Sequence, residues 1–166
     1  MSTFEDDRYR WRETYFVLFP AGKRPALKTV EKKLASLSKR YFLTNQSADP
    51  EGHLESLTVV SPDDFAALDI CYTSGPEVIE QADDLIQEMS PTLEPAQRVI
   101  LKRIKQYDGR FDVLHFEQIA NLPDEEDEDD ELLDPSALLA VLEALARITG
   151  GVAVDPQSGT ILSENQ

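Results

Sequence analysis

The six residues Thr14–Phe19 read TYFVLF, and they are apolar on both faces of any strand they form. Just upstream, Tyr9, Trp11 and Tyr15 alternate with Arg8, Arg10 and Arg12. Aromatic and β-branched residues with period two predict a strand over 12–19. Being apolar on both sides, it suits the centre of a sheet rather than an edge. Pro20 ends it. A chain that holds such a strand needs further strands on either side and helices to cover it.

The rest of the chain supplies them. Leu27, Val30, Leu34, Leu37 and Tyr41 recur at helical spacing and predict a helix over 26–40, with Lys28, Lys32, Lys33 and Lys39 on its other face. Residues 44–52 read as a polar loop. Leu54–Val60 and Phe65–Thr73 flank the turn residues Ser61-Pro62-Asp63-Asp64 and predict a hairpin. Two helices follow Gly75-Pro76 and Glu94-Pro95, with apolar stripes through Val78–Met89 and Val99–Tyr107. Arg110–Ile119 reads as a fourth strand. Asp134-Pro135 opens a mostly apolar helix that Gly150-Gly151 closes. Short strands are expected at Val152–Val154 and Ile161–Leu162.

The predicted fold class is therefore α+β. A ferredoxin-like split βαβ core, in the order β-α-β-β-α-α-β, gains a C-terminal helix and short strand. Its helices pack on one face of a mainly antiparallel sheet. At 166 residues, 41% hydrophobic and 29% charged, the chain reads as a single domain spanning 1–166. Eight consecutive acids, Asp124–Glu131, repel one another and predict a solvated, mobile loop over 121–133 within it.

Charge is unevenly placed. Residues 1–45 hold ten Lys/Arg against five acids, net +5; residues 46–166 hold six against 27, net −21. An acidic body disfavours nucleic acid and anionic membrane. No apolar run approaches the ~20 residues that cross a bilayer. The first fifteen residues lack the apolar core of a signal peptide. A single cysteine forms no internal disulfide, and one Cys with two His supplies no structural zinc set. The expectation is a cytoplasmic protein with no cofactor and no metal.

Candidate sites are few. Asp69, Cys71, His115 and Glu117 fall on two predicted strands. If those strands are neighbours, the Cys71 thiol and the His115 imidazole could meet as in nucleophilic catalysis. Burial of a lone cysteine in an apolar strand explains Cys71 more cheaply. Asp69, amid Ala67, Leu68 and Ile70, must reach water on an open sheet face or be paired. Glu117 shares a strand face with His115 and could orient it. His53 sits in a polar loop.

The run Asp124, Glu125, Glu126, Asp127, Glu128, Asp129, Asp130, Glu131 lacks the Gly and the alternating ligand spacing of a calcium loop. It reads instead as an attractor for a basic protein. Gly22-Lys23-Arg24 precedes a helix N-terminus, where anions are favoured, without the residues of a Walker loop. Arg8, Arg10 and Arg12 interleaved with Tyr9 and Trp11 have the composition of a single-stranded nucleic acid platform, without an RNP-like sequence. Pairing with the chain's own acids, or with those of a second copy through basic N-terminal and acidic C-terminal surfaces, is the more economical account. The segment Leu145–Gly151, followed by a strand and Asp155-Pro156, resembles the tail of various bacterial domains, some associated with toxin immunity.

No catalytic motif, phosphate loop or dinucleotide fingerprint is present. The expected function is a non-enzymatic, acidic protein-interaction module that binds a basic partner, as an inhibitor or immunity protein does. The alternatives are a small-ligand or regulatory domain of ferredoxin-like type, resting on fold analogy alone, and a degenerate or weak enzyme.

Overall fold

A computed structural model describes residues 9–118 and 135–164. Seven strands form one antiparallel sheet: β1 (Tyr9–Phe19), β2 (Phe42–Ala48), β3 (Leu54–Ser61), β4 (Ala66–Ser74), β5 (Gly109–Gln118), β6 (Val152–Asp155) and β7 (Thr160–Glu164). Among the described residues four α-helices accompany them: α1 (Leu27–Leu37), α2 (Pro76–Met89), α3 (Pro95–Ile104) and α4 (Ser136–Thr149). The strands lie in the order β2-β3-β4-β5-β1-β6-β7. The doubly apolar β1 is interior, as its composition demands: it pairs with β5 on one side and β6 on the other.

Both faces of the sheet carry helices, not one as expected. Val17 and Phe19 of β1, Leu68 and Ile70 of β4, and Phe111 and Val113 of β5 meet Val30 and Leu34 of α1 and Leu138, Val141, Leu142 and Leu145 of α4. Leu18 points the other way and joins Val152, Val154, Val78, Ala82, Ile100 and Ile104, so α2 and α3 cover the opposite face at its β1-β6-β7 end. No helix of these two clusters lies over the β2–β5 end of that second face; Thr58, Asp69 and Cys71 line part of it, while Ala67 and Phe116 on the same face are buried.

The strand order also departs from the ferredoxin-like arrangement. In a split βαβ unit, one strand is inserted between two that a helix connects. The first half of the chain does not build this: β1 and β3 are separated by β5 and β4. The cause is the pair of helices between β4 and β5. Two successive helices bring the chain back to the end of the sheet where β4 stopped. Ser74, the last residue of β4, lies opposite Gly109, the first of β5, and Gly75 N–H donates to Asp108 C=O at 3.0 Å. β5 therefore pairs directly with β4 and takes the place next to it. A split unit does occur later, where α4 connects β5 to β6 with β1 between them.

The segment predicted as a polar loop contains an added strand, β2. It is held to β3 by main-chain bonding and is exposed along most of its length. Asn45, with φ of 55°, sits where the pairing is irregular between Thr44 and Ser47.

Candidate functional site

The residues flagged in the sequence divide between the two faces of the sheet. β4 and β5 are neighbours, but Leu68 lies opposite His115 and Asp69 opposite Leu114. Side chains alternate along a strand. Hence His115 and Glu117 share the α1/α4 face with Phe111 and Val113, whereas Asp69 and Cys71 are on the reverse. The four do not converge, and no Cys71–His115 pair forms. Asp124–Glu131 lie outside the described residues.

A polar cluster surrounds His115 and Glu117 on the covered face. A β-bulge between Trp11 and Glu13 creates it. Below the bulge, Arg10 lies opposite Glu117; above it, Glu13 lies opposite His115. The extra residue shifts the parity of β1 by one, so Arg10, Glu13 and Tyr15 all reach the same face. Glu117 is almost fully buried. It accepts hydrogen bonds from both arginines: Arg10 Nε at 2.8 Å, a closer bond from the Arg10 Nη2, and Arg12 Nη1 at 3.1 Å. His115, 1% exposed, places Nδ1 3.0 Å from Glu13 Oε1. Tyr15 donates its hydroxyl to the same oxygen at 2.9 Å. Burial, and then the bond to Glu13, push the Tyr15 phenol well above its ordinary range, so it stays a donor.

This geometry sets the chemistry of the ring. A carboxylate only accepts, so Nδ1 carries the proton and Nε2 holds the lone pair in the neutral imidazole. Nε2 is buried and has no hydrogen-bond partner among the described residues. An oriented His–carboxylate pair with a free Nε2 is the arrangement of a general base or metal ligand. Here the carboxylate is Glu13, while Glu117 is engaged by arginine. At 1% exposure the ring offers a substrate no approach.

The reverse face carries an open groove of about 250 Å³, lined by Asn45, Ser56, Thr58, Asp69 and Cys71. Asn45 Nδ2 donates to Thr58 Oγ1 at 3.3 Å, and Thr58 Oγ1 donates to Asp69 Oδ1 at 2.7 Å. Asp69 thus has both things open to a strand carboxylate, a place on an open groove and a hydrogen-bond partner. Cys71 is exposed on the groove rather than buried in the core as its apolar strand suggested; partial desolvation there, followed by the charges of Asp69 and Asp112, raises its thiol pKa. A thiol kept protonated is a poor nucleophile.

The basic motifs are mostly spent within the chain. Arg10 and Arg12 serve Glu117, while Trp11 lies on the opposite face, so no stacking platform of arginines and aromatics exists there. Arg8 is outside the described residues. In the loop Gly22–Arg24, Arg24 pairs with Asp49 and lies 4.3 Å over the Tyr72 ring. Nearby, the Ala21 amide donates to Asp108 Oδ1 at 2.7 Å. Internal carboxylates occupy what read as an anion site.

Asp49, Glu51 and His53, in the β2–β3 turn, bring three ligand-type atoms within 4.8 Å of one another. Asp49 is already committed. Its Oδ1 accepts the Glu51 and His53 amides at 2.9 and 2.8 Å, and its Oδ2 holds Arg24. The His53 amide is the main cause of the lowered Asp49 pKa. A cation there would have to displace a guanidinium.

Sequence reasoning missed Glu13 and Tyr15. The available signal was an acid inside an aromatic strand, the same signal that singled out Asp69. Compared with known proteins, the chain matches no family model, no curated protein and no solved structure.

Proposed function

We propose that this chain is a non-enzymatic interaction module whose acidic surface takes a basic protein partner, in the manner of an inhibitor or immunity protein. The observation that carries the reading is α2. Its outward residues Glu77, Glu80, Asp84 and Glu88 are exposed, form a continuous stripe at helical spacing, and have no cationic partner among the described residues. Asp83 adds a fifth acid, and the helix has no Lys or Arg. The stripe runs about 16 Å along one surface. Asp124–Glu131 extend the same preference. A cytoplasmic setting accords with the lone free Cys71. No helix among the described residues is long and apolar enough to cross a membrane.

The test is affinity capture from native lysate at low and moderate salt, with mass spectrometry. Three baits are compared: the native chain, E77Q/E80Q/D84N/E88Q, and a chain with Asp124–Glu131 replaced by Ser/Gly. A basic protein held by the native bait and reduced about tenfold by either variant is the expected result. Capture that is unchanged by both variants, or no more basic than the lysate at large, overturns the reading.

One observation favours a second reading, a regulatory small-ligand domain: the open groove of about 250 Å³ on the reverse face, where Asn45, Thr58, Asp69 and Cys71 come together. The ferredoxin-like analogy behind it reduces to the single split unit β5-α4-β6. A metabolite that raises Tm in the native chain and not in D69N would support it; an empty thermal-shift screen would sink it.

A further inference from the structure

The other helical face carries the opposite charge. Residues 23–40 hold seven Lys/Arg and one acid, Glu31, in a chain of net charge −16. Arg24 pairs with Asp49 and Arg40 with Asp63. Lys23, Lys28, Lys32, Lys33 and Lys39 have no ionic partner among the described residues. With acids outnumbering bases two to one, five unpaired lysines on and beside one helix mark a surface kept apart from the chain's own carboxylates.

One of these lysines, Lys33, lines a furrow of mixed character, and Lys28 and Lys32 lie on the same helix. α1 and α4 leave between them a groove of about 160 Å³ lined by Lys33, Leu37, Ala140, Glu143, Ala144 and Arg147. Glu143 and Arg147 pair with each other at 3.0 Å, so Lys33 is the uncompensated charge of the lining. Leu37 in its lining is 36% exposed, and Leu139, outside the lining on α4, is 48% exposed. α1 is about 16 Å long, so the face accommodates roughly three turns of a helix.

We infer that this α1/α4 face docks an acidic, amphipathic helical segment of a partner protein, its apolar side on Leu37 and Ala140 and its carboxylates on Lys28, Lys32 and Lys33. Three arguments select this occupant. A nucleic acid strand offers nothing apolar to the furrow, whose lining has no aromatic ring for base stacking. A long polyanion would overrun it onto an acidic body. A second copy's acidic helix, α2, has its apolar side Val78, Ala82, Leu85 and Met89 buried in its own core, so it brings carboxylates without an apolar face. This surface is separate from the α2 stripe, and the inference does not rest on the proposed function.

The experiment uses the full chain and a fluorescein-labelled 14-residue Glu/Leu amphipathic peptide, read by anisotropy at low salt. Hexaglutamate, a single-stranded oligonucleotide and phosphatidylserine vesicles serve as comparators. The Glu/Leu peptide is expected to bind best. K28E/K32E/K33E should weaken it at least about tenfold and L37N severalfold, while K28R/K32R/K33R retains it. E77Q/E80Q/D84N/E88Q should leave it unchanged, which separates failure here from failure of the α2 reading. Circular dichroism and urea unfolding verify that each variant is folded. Binding insensitive to the lysine reversal, equal binding of any comparator, no binding at all, or native self-association that the reversal abolishes would each overturn the inference.

Discussion

Glu117 and its two arginines are unequal partners. The Glu117 side chain is 3% exposed, whereas Arg10 and Arg12 keep 51% and 32% of theirs in water. Removing the carboxylate lets the guanidinium groups turn to solvent, so E117Q should cost about 1–2 kcal/mol. R10A/R12A strands a buried charge and should cost about 3–5 kcal/mol. Urea unfolding at pH 7 measures both; equal costs would mean that Glu117 is hydrated in the native state. On the reverse face, Cys71 tests the field of its neighbours. Its thiol pKa is raised by partial desolvation and then by Asp69 and Asp112, so less thiolate is present at neutral pH than in a free cysteine. The iodoacetamide rate should therefore reach its midpoint at higher pH than for a free thiol, and D69N should move that midpoint down. A profile indifferent to D69N would remove Asp69 as a cause. At this scale the sequence showed which residues were unusual, Asp69 and His115 among them, but not their partners. Glu13 lies 102 positions from His115, and a bulge that changes strand parity leaves no mark in composition.

Element existence was legible wherever an apolar period was present. The stripe of α1, the hairpin β3–β4 and the apolar α4 appear close to their expected bounds. β2 was not legible, because Thr44, Asn45, Gln46 and Ser47 have no apolar period; they form a strand by bonding to β3 at the sheet edge, and their side chains are exposed. The turn after α4 shows two glycines with different duties. Gly150 takes the left-handed conformation at φ 70° and closes the helix, as the sequence indicates. G150A should cost about 1 kcal/mol. Gly151 is needed for space. A Cβ there would come 2.8 Å from Phe19 Cβ and closer still to the Leu18 carbonyl oxygen, both on β1. G151A must push α4 and β6 away from the central strand and should cost about 3 kcal/mol. Chemical unfolding of the two variants decides it; a G151A cost no larger than that of G150A would show that the turn yields.

The order of strands and the face chosen by each helix belong to the whole molecule, and amphipathic stripes do not encode them. A stripe says that a helix is covered, not by which side of the sheet. The count of helices between strands does carry information: two between β4 and β5 make them antiparallel neighbours. The outcome is a sheet with a lysine-bearing helix on one face and an acid-bearing helix on the other, inside a net charge of −16. That excess has an energetic consequence. Like charges repel more in the compact state than in the unfolded chain, and the Debye length falls from about 30 Å at 0.01 M salt to about 8 Å at 0.15 M. The described ion pairs are few beside that excess, the long-range ones centre on carboxylates withdrawn from solvent, such as Glu117 and Asp49, where salt screens little, and the exposed ones are weak to begin with. Screening of the net repulsion should therefore win, and Tm should rise by about 2–4 °C over that range, roughly 1 kcal/mol for a chain of this size. E77Q/E80Q/D84N/E88Q, with four fewer negative charges, should start higher and rise less. A native Tm that falls with added salt would show that attractive pairs outweigh the net charge, and the acidic surface would then be neutralised from within rather than open to a basic partner.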